Sequence, residues 1–240
     1  MNILITLCAR GGSKGIPDKN IKLMVGRPLI YYSLKTAHNF AYKHKADIIL
    51  STDSDRIKNK VVSLGLDSID VSYSRPDFLA TDNAGKIDVI VDVKNYAERT
   101  QNKLYDYVID LDVTSPLRTL EDLEQALLLL KNSNAHNIFS VNVAERNPYF
   151  NMVEKNQDGY YGLSKQANYS TRQSAPHVYD MNASFYIYSK SFFDNKCKSA
   201  ITDQSLIFEM NHICFDLDHP KDFDYMEYLL SNNKLDFKLD

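Results

Sequence analysis

The sequence predicts an α/β protein built on a mostly parallel sheet with helices on both faces. Three observations carry that expectation. Short, β-branched apolar runs alternate with longer stretches whose apolar residues recur at helical spacing. Most of the strand-like runs break into loops rich in glycine, hydroxyls or charge. The chain has 240 residues, 44% of them apolar and 25% charged, which suits one domain with a sizeable core.

Taken in order, Ile3–Cys8 reads as the first strand. Pro28 opens a helix whose apolar face carries Leu29, Ile30, Leu34 and Ala37, with Ser33 beside them. Asp47–Ser51 is a second strand, and the polar cluster from Ser51 to Asp55 caps a helix running to about Leu64. Ile69–Tyr73 is a third strand and Lys86–Arg99 a helix. Tyr107–Leu111 is a fourth strand. Thr119 then caps a helix over Leu120–Leu130, with Asp122 three residues on as the capping-box partner. Ile138–Val143 is a fifth strand. The turn at Asn156–Gly159 joins two short runs, Met152–Lys155 and Tyr160–Leu163, into a hairpin. Ser184–Tyr188 returns as a strand. His212–Asp218 and a helix from Pro220 to Ser231 form a last β-α unit; if Asp216 and Asp218 are a plain solvated strand end, Asp218 is the helix N-cap.

Composition narrows the function classes. A formal net charge of −3 gives no global pull toward nucleic acid. The cysteines Cys8, Cys197 and Cys214 are odd in number and widely spaced, which fits neither a disulfide framework nor a zinc site. No apolar run has the length of a membrane span, and the N-terminus lacks a secretory pattern, so a cytoplasmic protein is expected. The six histidines show no ligand spacing.

Ligands of parallel sheets bind beyond the carboxyl ends of the strands. Four loops there carry chemistry. Ala9-Arg10-Gly11-Gly12-Ser13-Lys14-Gly15, followed by Lys19-Asn20, combines glycines that let backbone N–H groups approach an anion with three cations. It is neither a Walker A loop nor a dinucleotide fingerprint. Arg75-Pro76, with Ala80-Thr81-Asp82, suits a base or ribose, or an ordinary capped loop. Asp110 and Asp112 precede Thr114-Ser115-Pro116-Leu117-Arg118, placing carboxylates, hydroxyls and a guanidinium at one strand end. Phe215-Asp216-Leu217-Asp218 sets two carboxylates on one side at strand spacing, where they repel unless a cation such as Mg²⁺ lies between them. Farther along, Arg172-Gln173 and Tyr186 suit a carboxylate- and hydroxyl-bearing ligand, or interface packing.

Together these segments resemble the acylneuraminate cytidylyltransferases, the CMP-sialic acid synthetases. The resemblance rests on Ala9–Gly15 with Lys19-Asn20, on Arg75-Pro-x-x-Leu-Ala-Thr-Asp82, and on Thr114-Ser-Pro-Leu-Arg118. Arg172-Gln173, Asn182-x-x-x-Tyr186 and Asp216-Leu-Asp218 complete it. It implies a Rossmann-like nucleotidyltransferase fold over residues 1–240, with residues 144–182 an inserted arm for dimerisation and substrate contact. It implies transfer of CMP from CTP to the C2 hydroxyl of a nine-carbon 2-keto sugar acid, with Mg²⁺ as cofactor and a homodimer as the working form. Ala9, Arg10, Ser13, Lys14, Lys19 and Asn20 would hold the triphosphate, and Arg75, Ala80 and Thr81 the cytidine. Asp112, Thr114, Ser115, Arg118, Arg172, Gln173 and Tyr186 would face the sugar. Asp216 and Asp218 would hold the metal, with Arg10, Lys14, Lys19 and Asp216 carrying the catalysis. Many sialate-activating members have Gln-Pro where this chain has Asp112-Val113. That difference, with Asn147-Pro-Tyr-Phe-Asn151, points to the branch that activates bacterial relatives such as legionaminic acid. A cytidylyltransferase of the KDO type and a non-catalytic nucleotide-binding protein are the competing readings.

Overall fold

The computed structural model describes residues 1–12, 15–166, 168–169 and 171–239. Its strands are β1 (Ile3–Cys8), β2 (Leu23–Met24), β3 (Arg27–Pro28), β4 (Asp47–Ser51), β5 (Ile69–Asp70), β6 (Tyr107–Leu111), β7 (Asn137–Val143), β8 (Val153–Lys155), β9 (Tyr161–Leu163), β10 (Tyr179–Ser189) and β11 (Ser205–Glu209). Its helices are α1 (Ile30–His44), α2 (Asp55–Val62), α3 (Lys86–Gln101), α4 (Leu120–Lys131), α5 (Lys190–Asp194) and α6 (Pro220–Ser231).

Seven strands form the central sheet in the order β11-β7-β10-β6-β1-β4-β5. Every pairing is parallel except those of β10, which runs antiparallel to both β6 and β7. The expected mostly parallel sheet is therefore observed. The period-2 alternation of β1 divides the core between the two faces. Ile3, Ile5 and Leu7 join Leu34 of α1, Leu123 of α4 and Phe223 of α6 on one face. Leu4 points the other way, to Ile90 and Val93 of α3, Phe192 of α5 and the stacked Tyr186 and Tyr188 rings. None of the described helices is long and apolar enough to cross a membrane.

Several boundaries differ from expectation, each for a local reason. Pro28 does not open α1; it pairs with Leu23 across a tight turn whose centre, Val25 and Gly26, has positive φ of 49° and 74°. The third strand stops at Asp70 because the Asp70 carboxylate accepts the N–H and hydroxyl of Ser72, closing an Asx turn. Thr119 and Asp122 form the expected capping box. The segment 212–218 is not a strand. It runs as a loop tied to the sheet by Leu217 N–H donating to Thr114 O at 2.9 Å. The strand at the β7 edge of the sheet is instead β11, with β5 at the opposite edge. The N-cap of α6 is His219, whose N–H donates to Asp222 at 2.7 Å, rather than Asp218. The expected hairpin is present as β8 and β9.

Candidate active site

The carboxyl ends of β1, β4 and β6 open into a cavity of about 380 Å³. Its wall combines Arg10, Lys19 and Asn20 from the first loop, Arg75 and Thr81 from the second, and Asp112, Thr114 and Asp218 from opposite segments. Residues more than 200 positions apart in sequence thus meet, as the parallel topology requires.

The first loop is braced from within. Asn20 is buried, and its side-chain amide donates to Arg10 O at 2.9 Å. Gly11 N–H donates to Asp53 beyond β4 at 2.8 Å. A Cβ on Gly15 would lie 2.5 Å from Asp218 O, so only glycine permits this approach of the two loops. Lys19 crosses the same gap: its ammonium donates to Leu217 O at 2.8 Å and lies 3.6 Å from Asp218 Oδ1. Arg10 pairs with Asp82 at 2.6 Å at the opposite rim. Ser13 and Lys14 lie outside the described residues.

Arg75 is buried, and its guanidinium donates to the hydroxyl and carbonyl of Ser51 at 3.0 and 2.9 Å. It is thereby fixed at the end of β4 while still forming part of the cavity wall. Ala80 closes a short 3-10 turn over Asp77–Leu79. It is Ala84, not Ala80, that lines the cavity beside Thr81.

The acidic wall is organised by a lysine. The Lys86 ammonium lies 2.9 Å from both Asp110 Oδ2 and Asp112 Oδ2, and 4.6 Å from the Tyr186 ring centroid. Asp112 Oδ1 accepts the N–H and hydroxyl of Thr114, each at 2.9 Å. Burial alone would raise the Asp112 carboxyl, but Lys86 and Thr114 hold it down to about 2. Asp216 behaves oppositely. Burial, with Asp112 and Asp218 nearby, pushes its carboxyl above the usual range, and its Oδ1 is buried without a hydrogen-bond partner. Cys8, on the cavity floor, is held as a neutral thiol chiefly by burial.

A family profile described as Cytidylyltransferase matches residues 4–238. The chain belongs to this cytidylyltransferase family. It is 37% identical over 98% of its length to the post-translational flagellin modification protein B of Campylobacter coli, covering 98% of that protein. It is also 37% identical to the CMP-N,N'-diacetyllegionaminic acid synthase of Campylobacter jejuni subsp. jejuni, with 97% of each chain covered. In fold it is similar to a CMP:2-keto-3-deoxy-manno-octonic acid synthetase complexed with CTP, at TM-score 0.68 and 17% identity, covering 97% of this chain and 100% of that one.

Within this cytidylyltransferase, several sequence-predicted site residues stand away from the cavity wall. Ala9 is buried, its N–H donating to Ser51 O at 2.9 Å, so it sets the start of the loop. Ser115 is buried and donates to Asn182 O at 2.7 Å. Arg118 is wholly buried. Its guanidinium donates to Ser184 and Ser33 hydroxyls at 2.8 and 3.0 Å, to Ser115 O at 2.6 Å and to Asp112 O. With these bonds all going to interior acceptors, Arg118 braces the β6 end rather than presenting a donor to the cavity. Arg172 caps the base of the hairpin segment, donating to the carbonyls of Ala144 and Glu145 at 3.2 and 2.9 Å, with Gln173 exposed beside it. Tyr186 stands behind Lys86.

Lys86 and Ala84, with the apolar lining of Cys8, Leu79 and Val89, are wall residues that sequence reasoning missed. A signal was present for Lys86. A lysine in the first turn of a helix opposes the helix dipole, so something else must hold it there.

Proposed function

We propose that this protein transfers CMP from CTP to the C2 hydroxyl of a nonulosonic acid of the legionaminic type, in the cytoplasm, as a homodimer with Mg²⁺. The observation that carries this reading is the cavity at the carboxyl edge of the sheet. There the cations Arg10, Lys19 and Arg75 face a wall of carboxylates and Thr114. The 37% identity to the legionaminic enzyme supports the choice of sugar.

In this reading Arg10 and Lys19, with the backbone of the glycine loop, hold the triphosphate and offset charge growing on the leaving pyrophosphate. Ser13 and Lys14 belong to the same loop and take part with it. Arg75, anchored on Ser51, and Thr81 face the cytidine. The sugar hydroxyl oxygen bonds to the α-phosphorus as the bond from that phosphorus to the bridging oxygen of the β-phosphate breaks. The hydroxyl proton passes to a carboxylate of the Asp216–Asp218 segment or to water, and pyrophosphate leaves.

Asp216 and Asp218 fit a divalent cation. The Asp216 Oδ1 is buried and unpartnered, and its carboxyl is pushed up by burial and neighbouring carboxylates, a strain that a dication relieves. Among the described residues no group of three or more His, Cys, Asp or Glu is arranged for a metal. Two protein carboxylates with phosphate oxygens completing the shell are what Mg²⁺ accepts. When bound, the ion would neutralise triphosphate charge and polarise the phosphorus.

The arm supports a dimer. Val153, Tyr160 and Tyr161 on the hairpin are 61%, 73% and 69% exposed, an apolar surface that a second copy would cover. The reading is tested by Lys19→Ala. Pyrophosphate release from CTP and legionaminate is expected to fall by at least about 100-fold, the scale of losing one charge-stabilising donor. The melting temperature should stay near that of the parent, and near-normal turnover would count against the assignment.

A further inference from the structure

We propose that Lys86 is a positioning residue of this reaction: it clamps Asp112, and through Asp112 the backbone N–H and hydroxyl of Thr114, into the cavity wall that receives the sugar acid. The proposal rests on the functional reading above and adds to it the group that sets the sugar-side wall.

Lys86 is the first residue of α3, where the positive end of the helix dipole disfavours a cation. Its Gly85 N-cap offers no side-chain bond, so local helix chemistry does not account for it. What holds it is across the cavity. The ammonium lies 2.9 Å from each of two carboxylates two residues apart, Asp110 and Asp112. Asp110 is fully buried, and its other oxygen accepts the Thr6 hydroxyl at 2.7 Å, so it is a fixed anchor in the sheet. Asp112 is the second partner, at the point where β6 turns into the wall. One of its oxygens takes Lys86 and the other takes both Thr114 donors, at 2.9 Å each. The Tyr186 ring, 4.6 Å from the ammonium, restricts it further.

The family resemblance implied only that Asp112 faces the sugar. Three hydrogen bonds within the protein already occupy most of the acceptor capacity of its two oxygens. Asp112 therefore acts as a bracket between a helix and a loop. The lysine also offsets two carboxylates on a wall that two anionic substrates must approach. The cations of the phosphate side, Arg10 and Lys19, make their own contacts with Asp82, Leu217 and Asp218, so Lys86 acts on the sugar side separately from them.

The test compares steady-state kinetics of Lys86→Met, Asp112→Asn, the double variant and Lys86→Arg with the parent, using CTP and the nonulosonate that the parent accepts best. Both single variants are expected to raise the KM for the sugar acid by about tenfold or more, with the KM for CTP within about threefold of the parent. The double variant is expected to be no worse than the worse single, because both changes break one unit. Lys86→Arg should recover most of the loss. Lys86→Met strips the buried Asp110 of its cation, so Asp112→Asn and Thr114→Val carry the test independently of its folding, with the same split between the two KM values. An unchanged sugar-acid KM, an equal rise in both KM values, or a multiplicative double variant would overturn the proposal. A parent protein inactive with every nonulosonate would overturn the functional reading instead.

Discussion

Arg118 illustrates what a residue's neighbours decide. At the end of a strand in a hydroxyl-rich turn it looks like a ligand donor, yet it is wholly buried and bonded to four internal acceptors. Burial lowers its pKa to about 10, which still leaves it charged at neutral pH. Arg118→Ala is therefore expected to destabilise the protein by about 3 kcal/mol or more, because several buried acceptors lose their donor. Urea denaturation measures this; an unchanged midpoint together with a raised sugar KM would return Arg118 to the ligand. His212 gives a pH signature at the same scale. Its ring nitrogens lie 2.9 Å from Asp122 Oδ2 and 3.0 Å from Ile213 O, both acceptors, and the ring stacks on Phe237 at 3.8 Å. Burial favours the neutral ring, but these acceptors outweigh it and raise His212 above its usual 6.5, while the same contact lowers Asp122 below 3.8 despite burial. A raised histidine stabilises below its unfolded value and loses that contribution as pH rises through its folded value. A lowered aspartate stabilises above its unfolded value and loses that as pH falls. The melting-temperature difference between the parent and His212→Gln is thus expected to peak at about pH 5 and shrink above neutrality. A difference independent of pH would contradict the pairing.

At the scale of elements, the strands that carry the site are the ones most legible in the sequence. β1, β4 and β6 are largely apolar runs because they lie inside a sheet covered on both faces, with Thr6 and Asp110 among their buried polar exceptions. β11 was invisible for the opposite reason: it is an edge strand with alternate positions open, and Ile207 is 39% exposed. Residues 212–218 mimic a strand, since Ile213, Phe215 and Leu217 alternate with polar residues. Only Leu217 reaches full burial, and no strand pairs with the segment. The β8–β9 hairpin is readable from its turn, and its exposed aromatics fit the proposed contact with a second copy. Tyr161→Glu is expected to shift the protein from dimer to monomer in sedimentation velocity, and a parent already monomeric at micromolar concentration would remove the arm's proposed role.

At the scale of the molecule, the glycine-cation loop, Arg75 and the Asp216–Asp218 segment were legible as parts, and the parallel topology explains why they converge. What sequence could not supply was depth and pairing. It could not tell that Asp112 is bracketed by Lys86 and Thr114, that Ala84 rather than Ala80 reaches the wall, or that Arg75 is anchored on Ser51. Those facts depend on how α3 lies against β6 and β4, which local patterning does not encode. The chemistry on the wall says polyanion and acidic sugar; the identity of the sugar is the claim most open to direct test. The deciding measurement is pyrophosphate release from CTP with Mg²⁺ across legionaminate, pseudaminate, N-acetylneuraminate, Kdn and KDO, with the CMP-sugar product identified by mass spectrometry. The expected result is the highest kcat/KM for a legionaminic-type nonulosonate. Turnover with KDO alone, or CTP binding without turnover on any of the five, would contradict the account.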